Sequence, residues 1–127
     1  MKFLLDTHAL VWWLEDAERL SAKATQIIGN PEHTILISAV VGWELAIKVK
    51  TGKMKPRSIL DGLNRILERE SFSELPITLD TAVRAGSLPL HHRDPFDRLL
   101  AAQAQSLNVP VLSADAILDR YDIRRLW

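Results

Sequence analysis

Apolar runs too short for helices and too unbroken for half-exposed strands constrain this chain more than any other feature. Phe3-Leu4-Leu5, ending at Asp6-Thr7-His8, and Val109-Pro110-Val111-Leu112, ending at Ser113-Ala114-Asp115, contain no polar residue in alternation. A strand with one wet face alternates apolar and polar residues, whereas a strand covered on both faces reads as a continuous apolar run, the usual pattern of parallel sheets. Thr34 to Ile37 is a third strand and Leu75-Pro76-Ile77 a fourth, short one; Arg124-Arg125-Leu126-Trp127 would add an edge strand.

Helix signals fill the intervals. His8 to Glu15 reads as a helix, and Ser21 caps a second that runs through Ile27-Ile28 and stops at Gly29-Asn30-Pro31. Ser38 caps a longer helix carrying Val40, Val41, Glu44, Ile47 and Lys48, which ends near Thr51-Gly52. The spacing of Ile59, Leu60, Leu63, Ile66 and Leu67 predicts one helix with a single apolar stripe, and Thr81 to Ser87 a short helix. Asp94-Pro95 starts another, running to about Leu107, because aspartate is a strong N-cap and proline is favoured at the first helical position. Strands alternating with helices argue for an α/β sandwich with a mainly parallel sheet.

At 127 residues the chain has room for one core, so one domain and one site are expected. An apolar fraction of 47% with 25% charged residues fits a globular protein rather than a disordered one. No apolar run approaches the ~20 residues that cross a bilayer, and a start of Met1-Lys2-Phe3-Leu4-Leu5-Asp6 meets a carboxylate too early for a signal peptide, so a cytoplasmic protein is expected. Cysteine is absent, which excludes a disulfide framework, a zinc–thiolate site and a cysteine nucleophile. Sixteen basic residues balance 16 acidic ones, so any nucleic-acid contact rests on local charge.

Open parallel sheets bind ligands beyond the carboxyl ends of their strands, and two of the strands end there in an aspartate, Asp6 and Asp115. Each alone has an ordinary reading as a turn or a helix cap. Glu44 lies among Val40, Val41 and Ile47 on a helix face that otherwise reads as buried; an ion pair with Lys48 one turn on is the plain account, and metal coordination accounts better for the burial. Asp97 sits in the first turn capped by Asp94, with the small Ala101 and Ala104 near it; both acids complement the helix dipole, and for Asp97 that role competes with a second one. Carboxylates gathered without cysteine suit a hard cation such as Mg²⁺ or Mn²⁺, which binds phosphate oxygens and lowers the pKa of water. Asp6, Glu44, Asp97 and Asp115 are therefore the expected metal-binding and catalytic residues of a phosphodiester hydrolase. His8, His91 and His92 lack a compact metal spacing.

Four segments together resemble a PIN domain: Leu4-Leu5-Asp6-Thr7-His8-Ala9; Ser38-Ala39-Val40 with Trp43-Glu44; Arg93-Asp94-Pro95-Phe96-Asp97-Arg98-Leu99-Leu100-Ala101-Ala102-Gln103-Ala104; and Leu112-Ser113-Ala114-Asp115. The resemblance spans essentially the whole chain and looks most like the VapC-type toxins of bacterial and archaeal toxin–antitoxin pairs. It implies a three-layer α/β/α sandwich and a ribonuclease that uses Mg²⁺ or Mn²⁺ and metal-activated water to hydrolyse RNA without a covalent enzyme intermediate. It makes Asp6, Glu44 and Asp97 the core acids and Asp115 the fourth, often less critical one. Thr7 matches a position that commonly carries a hydroxyl and orients water. It also implies a homodimer and a cognate antitoxin whose peptide tail occupies the groove.

Lys48, Lys50, Lys53, Lys55 and Arg57 form one candidate RNA contact, and His91-His92-Arg93 another; a solvated helix end and a loop are the ordinary readings. Trp12, Trp13 and Trp43 fit a core or interface better than base stacking. The two-sided apolar character of the Trp12-Trp13 helix, with the Leu63 stripe, also points to a homodimer. A haloacid-dehalogenase-like phosphatase needs an aspartate where His8 stands, and no glycine-rich phosphate loop is present for a nucleotide-binding regulator. The alternative from another class is a catalytically silent PIN-like module that binds RNA or protein; the complete set of acids argues against it.

Overall fold

A computed structural model describes residues 1–55, 57–91 and 94–127; Pro56, His92 and Arg93 lie outside the described residues. Five strands, β1 (Lys2–Leu5), β2 (Thr34–Ser38), β3 (Ser73–Leu75), β4 (Val111–Leu112) and β5 (Arg125–Leu126), form one sheet in the order β3-β2-β1-β4-β5. Every pairing is parallel, with Leu4 opposite Leu36 and Leu5 opposite Leu112. Leu4, Leu5, Val111 and Leu112 are fully buried, as unbroken apolar runs require of strands covered on both faces. The chain leaves β1 for β2 on one side and returns to β4 on the other, so the carboxyl ends of β1 and β4 flank the point where the strand order reverses, the place where such sheets open a crevice.

Helices cover the sheet in an α/β/α sandwich: α1 (Thr7–Glu15), α2 (Ala22–Gly29), α3 (Ala39–Lys50), α4 (Arg57–Asp61), α5 (Leu63–Glu70), α6 (Leu79–Ser87) and α7 (Pro95–Leu107), with 3₁₀ turns at Ala17–Arg19 and Ala116–Arg120. The expected caps are in place. Ser21 accepts from the Ala24 N–H, Ser38 from that of Val40 and Asp94 from that of Phe96. Helix α7 ends at Asn108 in the left-handed region (φ 52°), which asparagine tolerates better than most residues. Among the described residues no helix is long and apolar enough to cross a membrane.

Three elements depart from the sequence expectation. The stripe from Ile59 to Leu67 belongs to two helices, because Gly62, weak as a helix former and at φ −108°, breaks the run between α4 and α5. The strand expected at Leu75-Pro76-Ile77 lies earlier, at Ser73–Leu75, since Pro76 has no N–H for the ladder. Helix α6 starts at Leu79 rather than Thr81, because Thr78 and Thr81 cap each other's backbone N–H groups reciprocally.

A buried polar bridge ties the carboxyl end of β2 to α7. The Ser38 hydroxyl donates to Gln103 Oε1 at 2.5 Å, and Gln103 Nε2 donates to the Pro76 carbonyl at 3.2 Å. Ser38 and Gln103 are each 1% exposed, so losing one partner strands the other without water. Ser38→Ala therefore removes a cap and leaves a buried amide oxygen unpaired, an expected loss of about 2 to 3 kcal/mol, whereas Ser21→Ala removes a cap alone, about 1 kcal/mol. Urea denaturation of the two variants checks the difference; equal losses would mean that Gln103 finds another donor.

Candidate active site

The strand order determines which side chains meet. Asp6 follows β1 directly and caps α1, its Oδ1 accepting from the Ala9 N–H at 2.8 Å, while its own N–H donates to the Leu112 carbonyl of β4 at 3.2 Å. One residue on, Thr7 is buried and its hydroxyl donates to Glu44 Oε1 at 2.7 Å. Glu44 reaches this point from the second turn of α3, which starts at the end of β2. Its other oxygen, Oε2, accepts from Lys48 Nζ at 2.5 Å. Asp97 projects from the first turn of α7, and Asp115, after β4, caps the following 3₁₀ turn through the Ile117 N–H at 3.1 Å.

Asp6, Thr7, His8, Glu44, Lys48, Asp94, Asp97 and Asp115 line a single cavity of about 210 Å³. All four acids singled out in the sequence thus face one space, although they come from segments up to 109 positions apart. As their side chains stand, no three acidic or histidine groups among the described residues are gathered closely enough to hold one metal ion. Asp6 and Glu44 are buried, at 8% and 6% exposure; Asp97 is half-buried and Asp115 exposed. Burial pushes the Asp6 carboxyl above its ordinary range, and the negative charge of Glu44 adds to this; hydrogen bonds from Ser113 and Ala9 and the nearby His8 oppose it. For Lys48, burial alone would lower the ammonium, but the Glu44 hydrogen bond and the charges of Glu44, Asp94 and Asp97 outweigh it and hold the group above the usual lysine range.

Glu44 is paired with Lys48, as the plain account has it, and it is buried with Thr7 on its other oxygen. Lys48, expected as an RNA contact, lines the cavity, whereas Lys50 and Lys53 are exposed and absent from its lining. Arg93 and His92 lie outside the described residues, and His91 rests against the Tyr121 ring at a centroid distance of 5.2 Å. Ser113 was not anticipated. Its hydroxyl accepts from the Asp115 N–H at 3.0 Å and its side chain is bonded to Asp6, so one residue ties two of the acids together. A small hydroxyl residue between an apolar strand and an aspartate was the only sequence signal for it.

Two of the three tryptophans singled out take the core position that the sequence reading offered. Trp12 and Trp13 pack on the core, with Trp13 Nε1 donating to Glu70 at 2.7 Å and the Arg19 guanidinium over the Trp12 ring, and Leu63 packs inward too. Both rings and Leu63 are only partly buried, so some of their apolar surface stays open. Trp43 is half exposed and meets the Phe96 ring edge-on at 4.7 Å, and Leu79 and Val83 of α6 are exposed at 80% and 62%.

Residues 3–124 match the family model described as the PIN domain. The chain belongs to the PIN domain family, and within it is of the VapC type. It is 31% identical over 103 residues to Ribonuclease VapC22 of Mycobacterium tuberculosis, an alignment covering 80% of this chain and 77% of that protein. Among solved structures it resembles a chain of VapBC2 from Rickettsia felis bound to a DNA fragment from its promoter, with TM-score 0.73, 19% identity and coverage of 100% and 99%. It also resembles a chain of a toxin–antitoxin complex from Klebsiella pneumoniae, with TM-score 0.58, 19% identity and coverage of 88% and 85%. These two likenesses extend the PIN fold over nearly the whole chain.

The raised Asp6 carboxyl in this PIN domain carries a consequence for stability. A carboxyl whose folded pKa lies above its unfolded one opposes folding once it ionises, so the penalty grows as pH rises through that range and vanishes when both states are protonated. Asparagine caps a helix about as well as aspartate. Without divalent cations, Asp6→Asn should therefore melt above the wild type at pH 7, with the gap closing as the pH falls into the ordinary aspartate range. A variant that melts lower at pH 7 would mean that the Asp6 charge is stabilised where it sits.

Proposed function

We propose that this protein is a metal-dependent endoribonuclease, the toxin of a type II toxin–antitoxin pair, acting in the cytoplasm. The observation that carries the reading is the single cavity at the carboxyl ends of β1 and β4 lined by Asp6, Glu44, Asp97 and Asp115, with Thr7 hydrogen-bonded to Glu44. The match to a ribonuclease over most of both chains supports RNA as the substrate. The donor set fits Mg²⁺ or Mn²⁺, being carboxylate oxygen without sulfur around a space where one of the acids already binds a positive group, the Lys48 ammonium. Asp6, Glu44, Asp97 and Asp115 are the residues that would hold the ion. When bound, it supplies positive charge that acidifies water and offsets the charge building on a phosphate.

The chain's own groups have separate parts in this reading. Thr7 fixes one oxygen of Glu44 and keeps a hydroxyl at the cavity wall to orient water. Asp6 and Asp115 are held by backbone N–H groups and by Ser113, so their carboxylates are aimed before substrate arrives. Attack by water with departure of the 3′ oxygen leaves 5′-phosphate and 3′-hydroxyl ends. RNA contacts fall to Lys48 at the cavity, with Lys50, Lys53 and Arg93 as the further candidates read from the sequence. A cognate antitoxin is the expected protein partner, a reading supported by the likeness to a chain of a toxin–antitoxin complex. A homodimer is also expected, and the exposed Trp43, Leu79 and Val83 are better placed to serve it than the Trp12-Trp13 helix.

Cleavage of RNA with Mg²⁺ or Mn²⁺, its loss in excess EDTA and the identity of the product ends test the reading. Asp97→Asn should remove nearly all cleavage while keeping the fold, since an amide binds a hard cation poorly. Asp94→Asn should keep both, and Asp94→Ala should cost ~1 kcal/mol of stability with cleavage retained in the folded fraction. Full activity in EDTA, or cyclic 2′,3′-phosphate ends, would overturn the proposed chemistry. RNA bound but never cut would favour the catalytically silent module.

A further inference from the structure

Lys48 does not sit in the cavity as an ordinary surface lysine. Both oxygens of Glu44 are engaged, Oε1 by Thr7 and Oε2 by the Lys48 ammonium. The lysine side chain is only 22% exposed, lines the cavity with the four acids, and also lies in the field of Asp94 and Asp97. An exposed pair one helical turn apart contributes little and is replaceable. Among the described residues that line the cavity, the ammonium is the positive charge set against five acidic side chains, Asp6, Glu44, Asp94, Asp97 and Asp115, with His8 beside them.

From this geometry we propose that Lys48 is a built-in counter-cation that occupies Glu44 while no divalent ion is bound and must give up that carboxylate oxygen when one binds. The inference rests on the metal-dependent reading above. It accounts for two observations together: the carboxylates face one cavity, yet no three of them close on a common point while the ammonium holds Glu44. Thr7 keeps Glu44 in place when the lysine leaves, because it bonds the other oxygen. The exchange substitutes one cation for another at the same carboxylate, so the cluster is never left without a positive charge.

The test is Mn²⁺ binding to the purified protein, read as free Mn²⁺ by electron paramagnetic resonance, with thermal melting in EDTA alongside. Lys48→Met removes the competing charge, and the variant should bind Mn²⁺ about tenfold more tightly, the order expected for a unit and a double charge several ångström apart in a water-like dielectric. Its melting temperature in EDTA should fall below that of the wild type, and Mn²⁺ should raise it by more. Lys48→Arg, which keeps the charge, should return the affinity toward the wild-type value. A structural ion pair alone would lower the melting temperature without tightening Mn²⁺. Equal or weaker Mn²⁺ binding by a folded Lys48→Met would overturn the role given to the lysine and leave the metal reading standing. Absence of Mn²⁺ binding in all three proteins would overturn both.

Discussion

Carboxylates that are buried side by side lose solvation and repel one another, and the architecture around Asp6 and Glu44 answers that cost group by group. Neither acid is left to the low dielectric alone: Asp6 takes a backbone N–H and a serine, Glu44 a threonine on one oxygen and a lysine on the other. The compensation for Asp6 is incomplete, since burial still pushes its carboxyl upward. A site that stabilised both charges fully would have no further use for a cation. In the metal-dependent reading proposed above, this residual cost favours a cation in the cavity and ties fold and function to one interaction.

The parallel sheet makes this gathering possible. Parallel strands send all their carboxyl ends to one edge, and the central pair β1 and β4 puts the residues after Leu5 and Leu112 next to each other. Helices α3 and α7 then bring in Glu44 and Asp97 within their first two turns, where distance from the sheet edge is small. The Ser38–Gln103–Pro76 bridge locks these two helices and the end of β3 to the edge from below. On the other flank Arg125 of β5 donates to Asp119 through Nε and Nη2 and to the Ser113 carbonyl through Nη1, so the segment that carries Asp115 is pinned at both ends. The hydrogen bond of Asp119 with Arg125 keeps its carboxyl below the ordinary range, and the pair holds its geometry at neutral pH.

Much of this was legible in the sequence where the signal is local. Ser21, Ser38 and Asp94-Pro95 announce helix starts within three or four residues, and the runs Phe3-Leu4-Leu5 and Val109-Pro110-Val111-Leu112 announce burial on both faces. The meeting of Asp6 and Asp115 at one cavity was also readable, because strand ends in a parallel sheet share an edge, while Glu44 and Asp97, on helices, were joined to them by their helix neighbours and the resemblance. What escaped depends on competing or distant effects. Gly62 interrupts a run whose apolar spacing continues unbroken through it, so periodicity alone hides the boundary. The Thr78–Thr81 box carries threonine where glutamate or glutamine is the familiar partner. Lys48 and Lys50 look equivalent in sequence, yet two positions on a helix differ by about 200° in direction, and only the first turns toward the acids. Ser113 gains its role only when Asp6, far away in sequence, lies beside it.

If four acids distant in sequence jointly hold one divalent ion, local oxidative cleavage finds them without reference to catalysis. Fe²⁺ bound in place of Mg²⁺ and treated with ascorbate and peroxide cuts the polypeptide within a few ångström of the ion, and the fragments are sized by mass spectrometry. Cuts should cluster beside Asp6, Glu44, Asp97 and Asp115, all suppressed together by excess Mg²⁺. Fragments ending elsewhere, or cuts beside only one of the four that Mg²⁺ does not suppress, would contradict the joint site.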